Sequence, residues 1–116
     1  MPKGENWSVA DEPAANTKAT VSKAAETTGY HVITGIQGSI GGGSASSHVS
    51  LRLKQGSTVL FSEGLINAAG AVSKVELLGL NIKLDVNTTA TAEFDAAGGS
   101  GTTERVSMQG YTEYRP

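Results

Sequence analysis

The chain has 116 residues, enough for one domain and too few for two. Gly, Ala, Ser and Thr supply 53 of them, whereas Val, Leu, Ile and Phe supply 24, so any core is thin. A net charge of −2 gives too little self-repulsion to hold the chain open. With no cysteine there is no disulfide framework, thiolate metal site or cysteine nucleophile. No apolar run is long enough for a transmembrane helix, so no membrane partner is expected. The scattered Lys and Arg lack the clustering that a nucleic-acid partner requires.

Residues 1–15 read as an extended N-terminal arm, set apart from a β-sandwich domain over 16–116. The arm holds two prolines, and its large aromatic is Trp7. Asp11-Glu12-Pro13 would stop either regular element. From Asn16 the pattern becomes period-2 alternation, the mark of half-buried strands. Residues 17–23 form a weak strand with Ala19 and Val21 on one face. A helix over 14–27 is the rival reading, but it lacks an apolar stripe at helical spacing.

Tyr30 to Gln37 is β-branched and reads as a central strand, with a bulge or a close backbone approach at Gly35. Ser39 to Ser47, with three consecutive glycines, reads as a flexible loop. His48 to Lys54 turns Val49, Leu51 and Leu53 inward, and Thr58 to Ser62 is its hairpin return. After a loop at 67–71, Val72 to Leu78 is a strand, with a kink expected at Gly79. Asn81 to Val86 and Thr89 to Phe94 alternate again. A second glycine-rich loop, 96–101, precedes the closing strand 104–114, with Val106, Met108 and Gly110 on one face. The fold predicted is all-β: a single antiparallel β-sandwich, jelly-roll-like, of seven to nine short strands.

Little in the sequence suggests chemistry. His31 and His48 have no spacing that would join them to a carboxylate, and each reads as a strand residue. The glycines from Gly35 to Gly43 lack the Gly-Lys-Ser/Thr ending and following helix of a phosphate loop. Asp85 and Glu93 fall at outward positions and are expected to be solvated. No catalytic, metal-binding or cofactor-binding residue is assigned, and the chain is read as a non-enzyme. The residues singled out for partner contact are Trp7, Tyr111 and Tyr114. Aromatics of this kind anchor one protein on another, although Trp7 could equally fold back on its own domain.

The stretches Tyr30-His31-Val32-Ile33-Thr34-Gly35-Ile36, Leu51 through Phe61, Leu80-Asn81-Ile82 and Gly110-Tyr111-Thr112 are together familiar. Across residues 16–113 the chain resembles small β-sandwich proteins encoded among the structural genes of tailed bacteriophages. The closest kind is the capsid decoration, or cement, protein. That resemblance implies a virion structural protein on the outer surface of the capsid, with the major capsid protein as partner. It also implies a homotrimer at a local three-fold position. A thin core independently favours oligomerisation, because a domain this small buries only roughly 60–70% of its unfolded surface. The alternative function is a phage fibre, tail or surface module that binds a host glycan through the loops at 39–47 and 96–102.

Overall fold

The computed structural model describes residues 5–43, 47–67 and 72–114. Eight strands are described: β1 (Asn6–Asp11), β2 (Thr20–Lys23), β3 (Gly29–Gly42), β4 (Ser47–Gln55), β5 (Thr58–Asn67), β6 (Val72–Lys83), β7 (Ala90–Phe94) and β8 (Thr102–Tyr114). They form two four-stranded antiparallel sheets. One has the order β1-β8-β3-β6 and is called the β3 sheet; the other has the order β2-β7-β4-β5 and is called the β4 sheet. Every connection except the β4–β5 hairpin crosses from one sheet to the other. This is jelly-roll topology, as the alternation predicts.

The alternation works as a sorting device. On β8 the even-numbered residues from Thr102 to Thr112 point into the sandwich and are buried. Ile33, Ile36 and Ile40 of β3 meet Leu51, Leu53 and Phe94 of the other sheet in a single core. Several inward positions are small, Ala90 and Ala92 among them, which lets the sheets close without large side chains. Gly38 is required for that approach. A Cβ there would lie 2.8 Å from Leu51 Cδ2 and 3.2 Å from Phe94 Cζ.

Three features depart from the sequence reading. Residues 6–11 of the predicted arm are strand β1, paired along its whole length with β8, from Asn6↔Tyr111 to Asp11↔Val106. The predicted loop from Ser39 is strand as far as Gly42, because β8 and β6 pair it from both sides. The remainder of that loop, at 44–46, lies outside the described residues. The kink expected at Gly79 is an irregularity within one continuous strand, β6: Gly79 takes φ +68°, and Gly35 pairs with Leu78 where Ile33 pairs with Ile82. Within the window 14–27 the regular element is strand β2, which agrees with the weak strand read at 17–23 and not with the rival helix. The bulge expected at Gly35 is present, as a register shift between Ile33 and Gly35.

Candidate interaction surfaces

Trp7 is placed by β1 opposite Gly110, and its ring covers that glycine. A Cβ at Gly110 would meet Trp7 Cζ2 at 2.8 Å and would also strike the Val32 carbonyl oxygen. The indole Nε1 donates to Thr112 Oγ1 at 3.0 Å. Thr112 Oγ1 in turn lies 2.7 Å from His31 Nδ1, and His31 Nε2 lies 2.8 Å from the Ala24 carbonyl oxygen. A carbonyl only accepts, so Nε2 carries the proton. In the neutral ring Nδ1 then accepts from the Thr112 hydroxyl. The side-chain polar atoms of Trp7, Thr112 and His31 are all satisfied, which is what burial of His31 demands. The ring of His31 also meets Trp7 edge-on at 5.7 Å. Trp7 is therefore engaged by its own domain, the second of the two outcomes the sequence allowed.

The three aromatics do not form one patch. Tyr114 shares the inward parity of Thr112 and lies beside Gly29. Tyr111 has the opposite parity and stands on the outer face of the β3 sheet, between Asn6 and Val32. The histidines are also apart: His31 is interior to the β3 sheet, whereas His48 is exposed on the β4 sheet.

The outer face of the β3 sheet is a trough of about 580 Å³. Its floor is the short side chains of the central strands, Gln37, Ser39 and Ser107. Its walls are Glu12 and Arg105 on one side and Lys74 and Glu76 on the other. Ser107 Oγ donates to Gln37 Oε1 at 2.7 Å. Charges here are matched: Arg105 pairs with Glu12, Lys74 lies 3.5 Å from Glu76, and Lys83 stacks over Tyr30, whose hydroxyl donates to Glu113.

The outer face of the β4 sheet is built differently. Glu93 of β7 lies opposite Arg52 of β4 and next to Lys54. Its carboxylate meets Lys18 Nζ at 2.6 Å, Lys54 Nζ at 2.8 Å and Arg52 Nη2 at 3.7 Å. Glu93 is only 5% exposed. It is thus not the solvated residue that its outward position suggested, because three long side chains close over it. Burial acts to raise its pKa. The hydrogen bonds and charges of Lys18 and Lys54 outweigh that, and the carboxyl is held below its ordinary value. Arg52 Nε is buried without a hydrogen-bond partner. Asp85 is exposed as expected and accepts from Gln55 Nε2.

A second buried carboxyl received no role in the sequence reading. Glu104 of β8 points into the sandwich and is 0% exposed. Its Oε1 accepts from the Ala19 backbone N–H at 2.9 Å, while Oε2 has no partner. Burial raises its pKa; the Ala19 bond opposes this without cancelling it, and the nearby Asp95 carboxylate adds to the rise. The signal was available, since Glu104 shares the inward parity of Val106 and Met108.

The last surface is the flank where β5 and β6 run as sheet edges. Among the described residues β5 pairs only with β4, and β6 only with β3. Both present apolar side chains to solvent: Ile66 is 60% exposed, Val72 70% and Leu78 62%, with Val59 and Leu60 beside them. The opposite flank, by contrast, is closed by Trp7 and its hydrogen bonds.

No protein-family model and no curated protein matches the chain. Among solved structures it is similar to a carbohydrate-binding module, CBM36, in complex with calcium and xylotriose. The two are 12% identical, with a TM-score of 0.35, over 99% of this chain and 93% of that one. Among the described residues no three His, Cys, Asp or Glu side chains are grouped to hold a metal ion. Among the described residues no helix is long and apolar enough to cross a membrane.

Proposed function

We propose that this chain is a non-enzymatic structural protein of a tailed-bacteriophage virion. It binds the outer surface of the capsid, contacts the major capsid protein and strengthens the contacts between neighbouring shell subunits. The observation that carries this reading is the β5–β6 flank. Two long edge strands with exposed Ile66, Val72 and Leu78 are a surface that a partner covers. The sequence resemblance supplies the kind of partner.

In this reading the protein is a homotrimer. The core is thin, and a second copy covers apolar flank that a free domain leaves wet. Three-fold symmetry follows from the resemblance, since a cyclic trimer uses one patch three times at a three-fold shell position. Sedimentation of the isolated chain should give about three times 11.9 kDa. A stable monomer at micromolar concentration would rule out the trimer.

Capsids prepared with and without the protein test the function itself. Decorated shells should rupture at a higher temperature, because many modest contacts act together. Equal rupture temperatures, or no binding to shells, would overturn the reading. The trough on the β3 sheet favours one second reading, a surface module that binds a host glycan. Its amide and hydroxyl groups suit a polyhydroxylated ligand, and Tyr111 stands further along the same face. Saccharide titration, followed by shifts in the Gln37 and Ser107 amide resonances, separates the two.

A further inference from the structure

The four strands of the β4 sheet turn few charges outward. Arg52 and Lys54 of β4 and Glu93 of β7 are among them, and Lys18, just ahead of β2, folds over the same carboxylate. That is three cations around one anion, a surplus of two positive charges on a chain whose net charge is −2. The cluster is not closed. Arg52 reaches Glu93 only at 3.7 Å, and the side chains of Arg52 and Lys18 stay 29% and 40% exposed, so both keep donors for a further oxygen anion. Around the cluster the outward residues Thr20, Ser22, Thr91, Ser50, Ser62 and Gly64 are short, and exposed Val59 stands opposite Lys54. The acidic residues at its ends, Asp95 and Asp85, are each held by a hydrogen bond to β4, from Ser50 N–H and from the Gln55 side chain.

We propose that the outer face of the β4 sheet is a docking surface for an acidic protein surface, with carboxylates of the partner received by Arg52, Lys54 and Lys18 around Glu93. The match is one of charge: the central surplus attracts carboxylates, which compete with Glu93 for the three cations. A protein fits better than a nucleic acid. The rest of the chain carries net negative charge, so attraction is confined to this face, which suits a compact acidic patch or a flexible acidic segment better than a rigid duplex that runs beyond it. This names the docking face within the reading above, and it rests on that reading for the identity of the partner as shell protein.

The probe is immobilised poly-L-glutamate, with the full chain in solution at about 20 mM salt, where screening extends over about 20 Å. The double variant Arg52→Gln/Lys54→Gln should bind at least about ten-fold more weakly than wild type. Lys74→Gln/Lys83→Gln removes the same charge from the other sheet and should change binding by less than about two-fold. Glu93→Gln should bind more tightly, since it frees three cations. Thermal melts establish that each variant is folded, and the Arg52/Lys54 pair decides the matter if Glu93→Gln is not.

Absence of wild-type binding, equal losses in the two double variants, or weaker binding by folded Glu93→Gln would overturn the proposal. So would tighter binding to heparin or duplex DNA than to poly-L-glutamate, which would assign the face to another polyanion. Shell binding separates this proposal from the function it builds on. If the chain binds poly-L-glutamate through this face but no capsid, the virion reading fails and the docking face stands. If Arg52→Gln/Lys54→Gln decorates capsids as tightly as wild type, the docking face fails and the virion reading stands.

Discussion

The two sheets have the same strand number and the same antiparallel pairing, yet they treat charge in opposite ways. The β3 sheet balances charge on its outer face, with Arg105 against Glu12 and Lys74 against Glu76, and sends its unpaired carboxyl, Glu104, inward. The β4 sheet buries Glu93 under three cations on its outside and keeps its inner face apolar. Two glutamates of similar burial therefore sit in opposite electrostatic surroundings. Burial alone does not decide the state of a carboxyl; the number of cations within reach does.

The largest expected effect lies on the β3 sheet. Trp7→Ala removes a half-buried ring, the donor to Thr112 Oγ1 and the edge contact with His31. It should cost about 3 kcal/mol in chemical denaturation. Amide exchange should quicken along Asn6–Asp11, while the β4 sheet keeps its protection. A cost below about 0.5 kcal/mol would mean that β1 is held by its backbone ladder alone.

On the β4 sheet, Glu93→Gln should cost about 2 kcal/mol at neutral pH, because a carboxylate bonded to two ammonium groups becomes a neutral amide. The pH dependence carries the sign. The folded pKa of Glu93 is lowered, so its contribution is present above the unfolded pKa and is lost as pH falls through the folded value. Melting temperature against pH should thus fall on the acid side in wild type, and more shallowly in Glu93→Gln.

Glu104 should show the opposite sign. Its folded pKa is raised, so the protonated form stabilises the fold below the unfolded pKa, and this is lost as pH rises through the folded value. Glu104→Gln keeps an amide at the same place and should lose that dependence. It should equal wild type in acid and exceed it by about 1 kcal/mol once wild-type Glu104 ionises. A variant less stable than wild type at every pH would show that Oε2 has a partner that the amide cannot serve. The smallest effect belongs to Lys74→Gln, an exposed pair whose loss should shift stability by less than about 0.5 kcal/mol.

The jelly roll was legible because period-2 alternation survives in the sequence. Val49, Leu51 and Leu53, or Val106 and Met108, declare their faces without knowledge of their partners. Strand ends were less legible. Ser39 to Gly42 carries turn-forming residues and becomes strand only because β8 and β6 flank it, a fact about distant residues. In the same way Trp7 and Val9 alternate, but Pro13 and the surrounding charges concealed a strand whose partner begins about a hundred residues later. The charge cluster was hidden for a related reason. Arg52, Lys54 and Glu93 each read correctly as outward, yet nothing local gives the register that sets Arg52 opposite Glu93.

The central claim is that this jelly roll is a structural component of a virion shell, and its position on the particle tests that most directly. Gold-labelled antibody fragments against the chain, applied to intact virions and imaged by electron microscopy, should mark the outside of the capsid at repeated positions. Label confined to the tail or fibres, or absent from purified virions, would contradict the claim.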